Sequence, residues 1–366
     1  MLFLVCTALA LAQCHSASVT LSNTALPRDT SGSLLLTGEA SILSYNGTFY
    51  FYFNNWGGCA GVDCCPSSSG CASCCFQGPS DPCVYTTNHS VVAYSTTDFL
   101  SWTPLGEVLG VDARRAGIEF RPQVVFCEAT SLFLMYYEDR WSSGSNPGYA
   151  LAASPTPWGP FATVDPSVVM GGRGRVGDFD VFVDTVSTPH TAYHIRTGLS
   201  IQRLSANFSA PEGKAVDIPN GGVEGPAMFE RAGVYYLLAG LGCCACRGGS
   251  NVVVYTAPSP LGPFKLQGDV GSNRSQAFDA HSPTNYVTHA QQTKVIKVAA
   301  ADGSTQYLWV GNQWVSNSAG PAGQWGPRNH DLLYFALLQF DSHGRILQLE
   351  YSPTCTLSLP AGGKEK

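Results

Sequence analysis

The chain has 366 residues, of which only 13% are charged while 39 are glycine and 23 are proline. So few charges with so many turn formers argue against long charged helices and favour an all-β fold, where a closed architecture of this length can form one unit. The net charge of −6, with no lysine–arginine cluster, leaves no electrostatic footprint for nucleic acid or an anionic membrane.

The first residues, MLFLVCTALALAQCHSAS, are apolar to about Ala12 and then small. This pattern predicts a signal peptide over 1–17, with the mature chain starting near Ala17 or Ser18 and running to 366. A lipid-anchored Cys14 is the rival reading, which the bulky Gln13 fits poorly. No later run approaches the roughly 18 apolar residues of a membrane span, so a secreted, extracellular product is expected.

From Glu39, EASILSYNGTFYFYF reads as two strands around a turn, and VVAYSTTDFLSW as a third. Between them, an insertion at about 56–83 carries seven cysteines from Cys59 to Cys83. Without Cys6 and Cys14, twelve of the 14 cysteines remain, an even number in an oxidising compartment, so disulfides are expected. Cys71-x-x-Cys74 leaves a thiolate–metal site as the alternative. Sequons at Asn46, Asn88, Asn207 and Asn273 suit a glycoprotein.

The pattern then recurs. FRPQVVFCEATSLFLMYYEDRW from Phe120 is followed by YALAASPTPWGPF, and DFDVFVDTVSTPHTAYHI from Asp178 by LSIQRLS. VEGPAMFERAGVYYLLAG from Val223 turns at Ala-Gly and is followed by VVVYTAPSPLGPF. A fifth unit opens at His281 with HSPTNYV and continues with QYLWVGNQW and LLYFALLQFDSHG. Five units with a period of roughly 50 residues predict a five-bladed β-propeller in a single domain.

In such a fold every innermost strand starts at one end of the central channel. Glu39, Asp178 and Glu224 are therefore expected to converge there, walled by the Cys-rich insertion and by the EDRWSSGSNPG and GLGCCACRGGSN loops. One acid at a strand entrance is ordinarily a turn former or solvated. Three at equivalent entrances suit glycoside hydrolysis, in which one carboxyl protonates the leaving oxygen, another activates water, and a third holds the donor protonated. Inversion places the two acting groups about 6.5–9.5 Å apart, a span that a propeller channel can supply.

VEGPAMFERAGVYYLL resembles the Glu-Gly-Pro acid motif of glycoside hydrolase family 43, and GDFDVFVD resembles its third-blade Asp motif, within a likeness spanning about 35–352. The resemblance implies a five-bladed propeller and an inverting mechanism, with Glu224 as general acid and Asp178 as the group that tunes it. Where the family has an Asp base followed by Pro, this chain has Glu39-Ala40, so Glu39 either holds the water or hydrogen-bonds substrate. FRPQVVF, SPLGPF and the segment from YLWVGNQW onward resemble the exo-β-1,3-galactanase branch, whose base can be a blade-five amide. The matching stretch, FDAHSPTNYV, carries His281, which reads as a base, a ligand of a central cation, or a core histidine; Gln276 is nearby but out of register.

Glu119, Arg121, Trp56, Trp141, Trp314 and Arg328 are candidate substrate contacts, with a structural ion pair as the alternative for Arg121 and packing for the tryptophans. Glu138 and Asp139 read as loop charges. Gly171–Gly177, GGRGRVG, lacks the GK[ST] ending of a phosphate loop, and neither HExxH nor GxSxG occurs. No cofactor is required, although the resemblance allows a structural calcium in the channel.

These readings converge on a monomeric hydrolase of plant- or algal-type polysaccharide, with galactan or arabinogalactan ahead of arabinan and xylan. A propeller that binds carbohydrate without cleaving it, and a Cys-rich extracellular interaction module, are the alternatives.

Overall fold

The turns of the repeats are set by local chemistry. Asn46 and Gly47 have φ of 48° and 72°, and Ala232 and Gly233 have φ of 51° and 78°. Two successive left-handed residues make the tight turn whose twist matches an antiparallel hairpin. The structure, a computed structural model, describes residues 16–55, 89–114, 118–140, 148–219, 224–240, 248–272, 286–314, 316 and 331–360.

Strand β1 (Ser16–Ser22) precedes the first blade, which consists of β2 (Gly38–Tyr45), β3 (Thr48–Asn55), β4 (Ser90–Thr96) and β5 (Thr103–Leu109). Blade two is β6 (Ile118–Cys127), β7 (Leu132–Arg140), β8 (Gly148–Ser154) and β9 (Ala162–Val168). Blade three is β10 (Phe179–Asp184), β11 (Thr191–Arg196), β12 (Ser200–Leu204) and β13 (Pro211–Asp217). Blade four is β14 (Glu224–Arg231), β15 (Val234–Gly240), β16 (Val253–Ala257) and β17 (Lys265–Asp269). Blade five, among the described residues, has three strands, β18 (Gln291–Ala299), β19 (Thr305–Gln313) and β20 (Leu332–Leu337). The innermost strands β2, β6, β10, β14 and β18 pack side by side in a ring, with β18 returning to β2. The fold is therefore the expected all-β, five-bladed propeller.

Period-two alternation divides each strand between two cores. On β3, Phe49, Phe51 and Phe53 face the cluster between blades five and one, while Tyr50 and Tyr52 face that between blades one and two. On β15, Tyr236 and Leu238 face blade five, while Tyr235, Leu237 and Ala239 face blade three. Burial on both faces explains why these strands read as nearly unbroken apolar runs.

The ring closes through the chain ends. Strand β1 pairs antiparallel with β21 (Thr354–Pro360), and Val19, Leu21, Leu357 and Leu359 complete the core between blades five and one. The following Asn23 bonds both backbone groups of Phe335 on β20, accepting from its N–H at 2.8 Å and donating to its carbonyl at 3.0 Å.

Three sequence expectations change. The fifth blade opens at Gln291 rather than at HSPTNYV: QQTKVIKVA buries Val295, Ile296 and Val298, and its lysines had masked the strand pattern. Cys127 and Cys355 are buried free thiols, so pairing does not extend to them; the other cysteines lie outside the described residues. Glu138 is buried on β7 rather than solvated in a loop.

Candidate active site

The channel mouth is shaped by bulges. Register breaks fall between Gly38 and Ser41 on β2, Phe120 and Gln123 on β6, Glu224 and Ala227 on β14, and Gln292 and Lys294 on β18. Bulges bend a strand and re-aim its side chains. In the first three, the residue after the break is left-handed: Glu39 (φ 52°), Arg121 (φ 50°) and Gly225 (φ 57°). The motif glycine next to Glu224 thus has a physical reason, reinforced because a Cβ at Gly225 would meet the Gln292 carbonyl oxygen at 3.1 Å.

The same alignment shows that Glu39 occupies the position of Gly225, not that of Glu224. A one-residue offset changes where the carboxylate goes. Glu39 is buried, and its Oε2 accepts from the Arg121 backbone N–H at 3.2 Å and from Asn54 Nδ2 at 3.4 Å. It fastens blade one to blade two.

Arg121 is also buried and forms the hub of the mouth. Its Nε lies 2.8 Å from Asp178 Oδ1, its Nη2 donates to Gln291 Oε1 at 2.9 Å, and its Nη1 donates to the Gln292 carbonyl at 3.3 Å. Gln291 Nε2 in turn donates to Asp178 Oδ2 at 3.0 Å, and Trp314 Nε1 donates to Gln291 Oε1 at 3.0 Å. Both Asp178 oxygens are thus oriented, while its carbonyl holds the Thr197 N–H at 2.8 Å. Of the two readings of Arg121, the ion pair is the one the structure displays. The Trp314 ring is buried behind Gln291.

Glu224 stands on the neighbouring blade, with its Oε1 3.1 Å from Arg175 Nη2. Asp178 and Glu224 keep 18% and 25% of their side chains exposed, so both are reachable from solvent. Glu119, by contrast, is fully buried, with Arg114 Nε 3.5 Å from its Oε1 and His89 Nε2 3.9 Å from its Oε2. His281, Trp56, Trp141 and Arg328, and the three loops expected to wall the pocket, fall on stretches outside the described residues, apart from a few residues at the loop ends.

Sequence reading had not found Gln291, Arg175 or Lys294. Gln291 was findable as the polar residue that opens the fifth inner strand, had that strand been placed correctly. Lys294 lies deeper in the ring, where its ammonium meets the Asp180 carboxylate, the Val181 carbonyl at 3.1 Å and Gln123 Oε1 at 3.5 Å. Asp180 Oδ2 accepts from the Met228 N–H at 2.9 Å, and Gln123 Oε1 accepts from Ser41 Oγ at 3.3 Å. Among the described residues, the oxygens of Asp180, Val181 and Gln123 therefore already surround a fixed cation and do not fit a divalent ion beside it. Among the described residues, no cluster of three or more His, Cys, Asp or Glu side chains forms a metal site.

No family model matches the sequence. A β-D-galactofuranosidase of Aspergillus niger is 24% identical over 281 residues, covering 70% of this chain and 73% of that protein. A family 43 β-1,3-galactosidase solved with galactodeoxynojirimycin superposes with a TM-score of 0.66 at 19% identity, covering 89% of this chain and 97% of its own. An exo-β-1,3-galactanase of Phanerochaete chrysosporium, solved with β-1,3-galactotriose, gives 0.67 at 18% identity, covering 92% of this chain and 67% of its own. The chain thus has the five-bladed propeller fold of glycoside hydrolase family 43.

Proposed function

We propose that the protein is a glycoside hydrolase of the family 43 type that cleaves β-1,3-linked galactan with inversion, Glu224 donating the proton to the leaving oxygen. The observation that carries this reading is the pair of solvent-reachable carboxylates at one channel mouth, Asp178 held by Arg121 and Gln291, and Glu224 on the next blade. A proton donor and an oriented carboxylate at one cleft are what the reaction needs. Gln291 is the blade-five amide at this mouth, and its bond to Asp178 supports a role in orienting that carboxylate. The galactan preference is supported by the galactanase and galactosidase neighbours and by their bound sugars. Export through the 1–17 segment would bring the enzyme to an extracellular polysaccharide.

The test is sugar release from β-1,3-galactan, arabinan and xylan, with Glu224→Gln in parallel. The expected result is galactose release that falls by roughly 10²–10⁴-fold in the variant. Equal rates in both proteins would remove Glu224 from the chemistry. One observation favours a second reading, that of a protein which binds glycan without cleaving it: Glu39, at the segment matching the family base, is buried in bonds to Arg121 and Asn54. Saturable galactan binding without turnover would select it.

A further inference from the structure

The glycine-rich stretch Gly171–Gly177, which is not a phosphate loop, is bonded along most of its length. Gly171 N–H donates to Gln202 Oε1 at 2.7 Å, Arg173 N–H to Asp217 Oδ1 at 2.8 Å, Gly174 N–H to Ser200 Oγ at 2.6 Å, and Arg175 N–H to the Thr197 carbonyl at 3.1 Å. Arg196 Nη2 donates to the carbonyls of Gly171 and Gly172 at 2.7 and 3.0 Å, and Tyr149 Oη donates to that of Gly177 at 2.9 Å. The glycines permit this closeness. Gly172 is left-handed at φ 90°, and a Cβ on Gly174 would lie 2.8 Å from both Arg196 Nε and the Thr197 carbonyl oxygen. The Arg175 guanidinium, 73% exposed, leaves this rigid backbone and ends on Glu224 Oε1.

We propose that Arg175 is a positioning residue for the Glu224 carboxyl, an inference that rests on the hydrolase reading above. In the free protein the guanidinium fixes the direction of the Glu224 carboxyl at the mouth through the 3.1 Å contact to its Oε1. When a glycosidic oxygen takes the place of Nη2, Glu224 takes up a proton from solvent and is armed to donate it. The carboxyl thereby faces the leaving oxygen, with its proton, only in the occupied site. An exposed ion pair is ordinarily weak because ordering two long side chains costs entropy. Here the bonded backbone fixes the point from which the Arg175 side chain starts, so the pair depends on the loop as well as on the arginine. The other charged groups toward this end of the elements packed on β14 are Asp178 and, deeper, Asp180 before and on β10, Arg196 on β11 and Lys294 on β18, with Arg121 of β6 closing on Asp178. Asp178 and Asp180 each have a cationic partner of their own, and Arg196 is bonded to loop carbonyls. Arg175 is the cation in direct contact with Glu224 among the described contacts.

The decisive measurement is the titration of the Glu224 carboxyl by carbon-13 NMR in the full chain, assigned with Glu224→Gln, for the wild type, Arg175→Gln, Arg175→Lys and Gly174→Ala. Removing the cation favours the protonated acid, so the midpoint rises by about half a unit in Arg175→Gln. It rises likewise in Gly174→Ala, which keeps the arginine but displaces its loop, and returns toward the wild-type value in Arg175→Lys. On β-1,3-galactan, kcat/KM of Arg175→Gln falls about tenfold and the basic limb of its pH profile moves up with the midpoint. An unchanged midpoint and pH profile in Arg175→Gln would overturn the proposal. A midpoint that moves in a wild-type background cleaving no glycan would sink the hydrolase reading and leave the coupling standing.

Discussion

Asp178 and His194 lie near each other in blade three and show how differently a polar side chain can be treated. Asp178 is oriented through both oxygens and remains open to solvent. His194 is fully buried among aromatic rings, stacked on Phe179 at 4.9 Å and edge-on to Tyr149 and Tyr136, and neither ring nitrogen has a hydrogen-bond partner. Burial, with the Arg196 charge adding to it, pushes its pKa down to about 3 from the ordinary 6.5. The folded state holds this histidine neutral while the unfolded chain protonates it. Its contribution to stability is therefore complete above pH 6.5 and is lost as pH falls toward 3, by at most about 1.4 kcal/mol per unit. His194→Phe should flatten the decline of the melting temperature across that window. An unchanged acid limb in the variant would exclude His194 as its source.

At the scale of elements, bulges and hairpins divide the work. Hairpins such as Asn46-Gly47 register each inner strand on its neighbour, and bulges turn that strand's first residues into the channel mouth. Among the described residues the blade-five sheet has three strands, and the β1–β21 ribbon packs into the core it shares with blade one. Asn23 locks the ribbon to β20 through two side-chain bonds to Phe335, and a third reaches the Ser352 carbonyl ahead of β21. Asn23→Ala leaves a buried N–H and carbonyl unpaired and is expected to cost about 2–4 kcal/mol. Urea denaturation measures this, and a loss below about 0.5 kcal/mol would mean the apolar ribbon closes the ring alone.

Across the whole molecule, one ammonium connects all five blades. Lys294 of blade five meets Asp180 of blade three and Gln123 of blade two, and these bond to Met228 of blade four and Ser41 of blade one. Asp178 immediately precedes β10 and Gln291 opens β18, so the hub holds blades three and five at the spacing that the site needs. The Asp180 side chain is fully buried. Lys294→Met leaves its charge uncompensated and should cost about 3–5 kcal/mol, with Asp180→Asn in the same chain recovering part of the loss. Thermal melts of the two single variants and the double variant check this. Strict additivity would show that the two groups are not coupled.

The five repeats, their hairpins and the placing of Asp178 and Glu224 at the channel mouth were legible in the sequence because they are written in local terms: turn residues, period-two apolar runs and a repeat of roughly 50 residues. The fifth inner strand was not, because Lys294 and Lys297 interrupt its apolar pattern; one reaches Asp180 and the other Glu230, at 2.7 Å. Glu39 looked equivalent to Glu224 until the bulge alignment moved it by one position. Gln291, Arg175 and Lys294 acquired their meaning only from the closed ring. Which polar groups meet across a channel depends on bulge register and on the return of β18 to β2, and both depend on contacts between residues far apart in the chain.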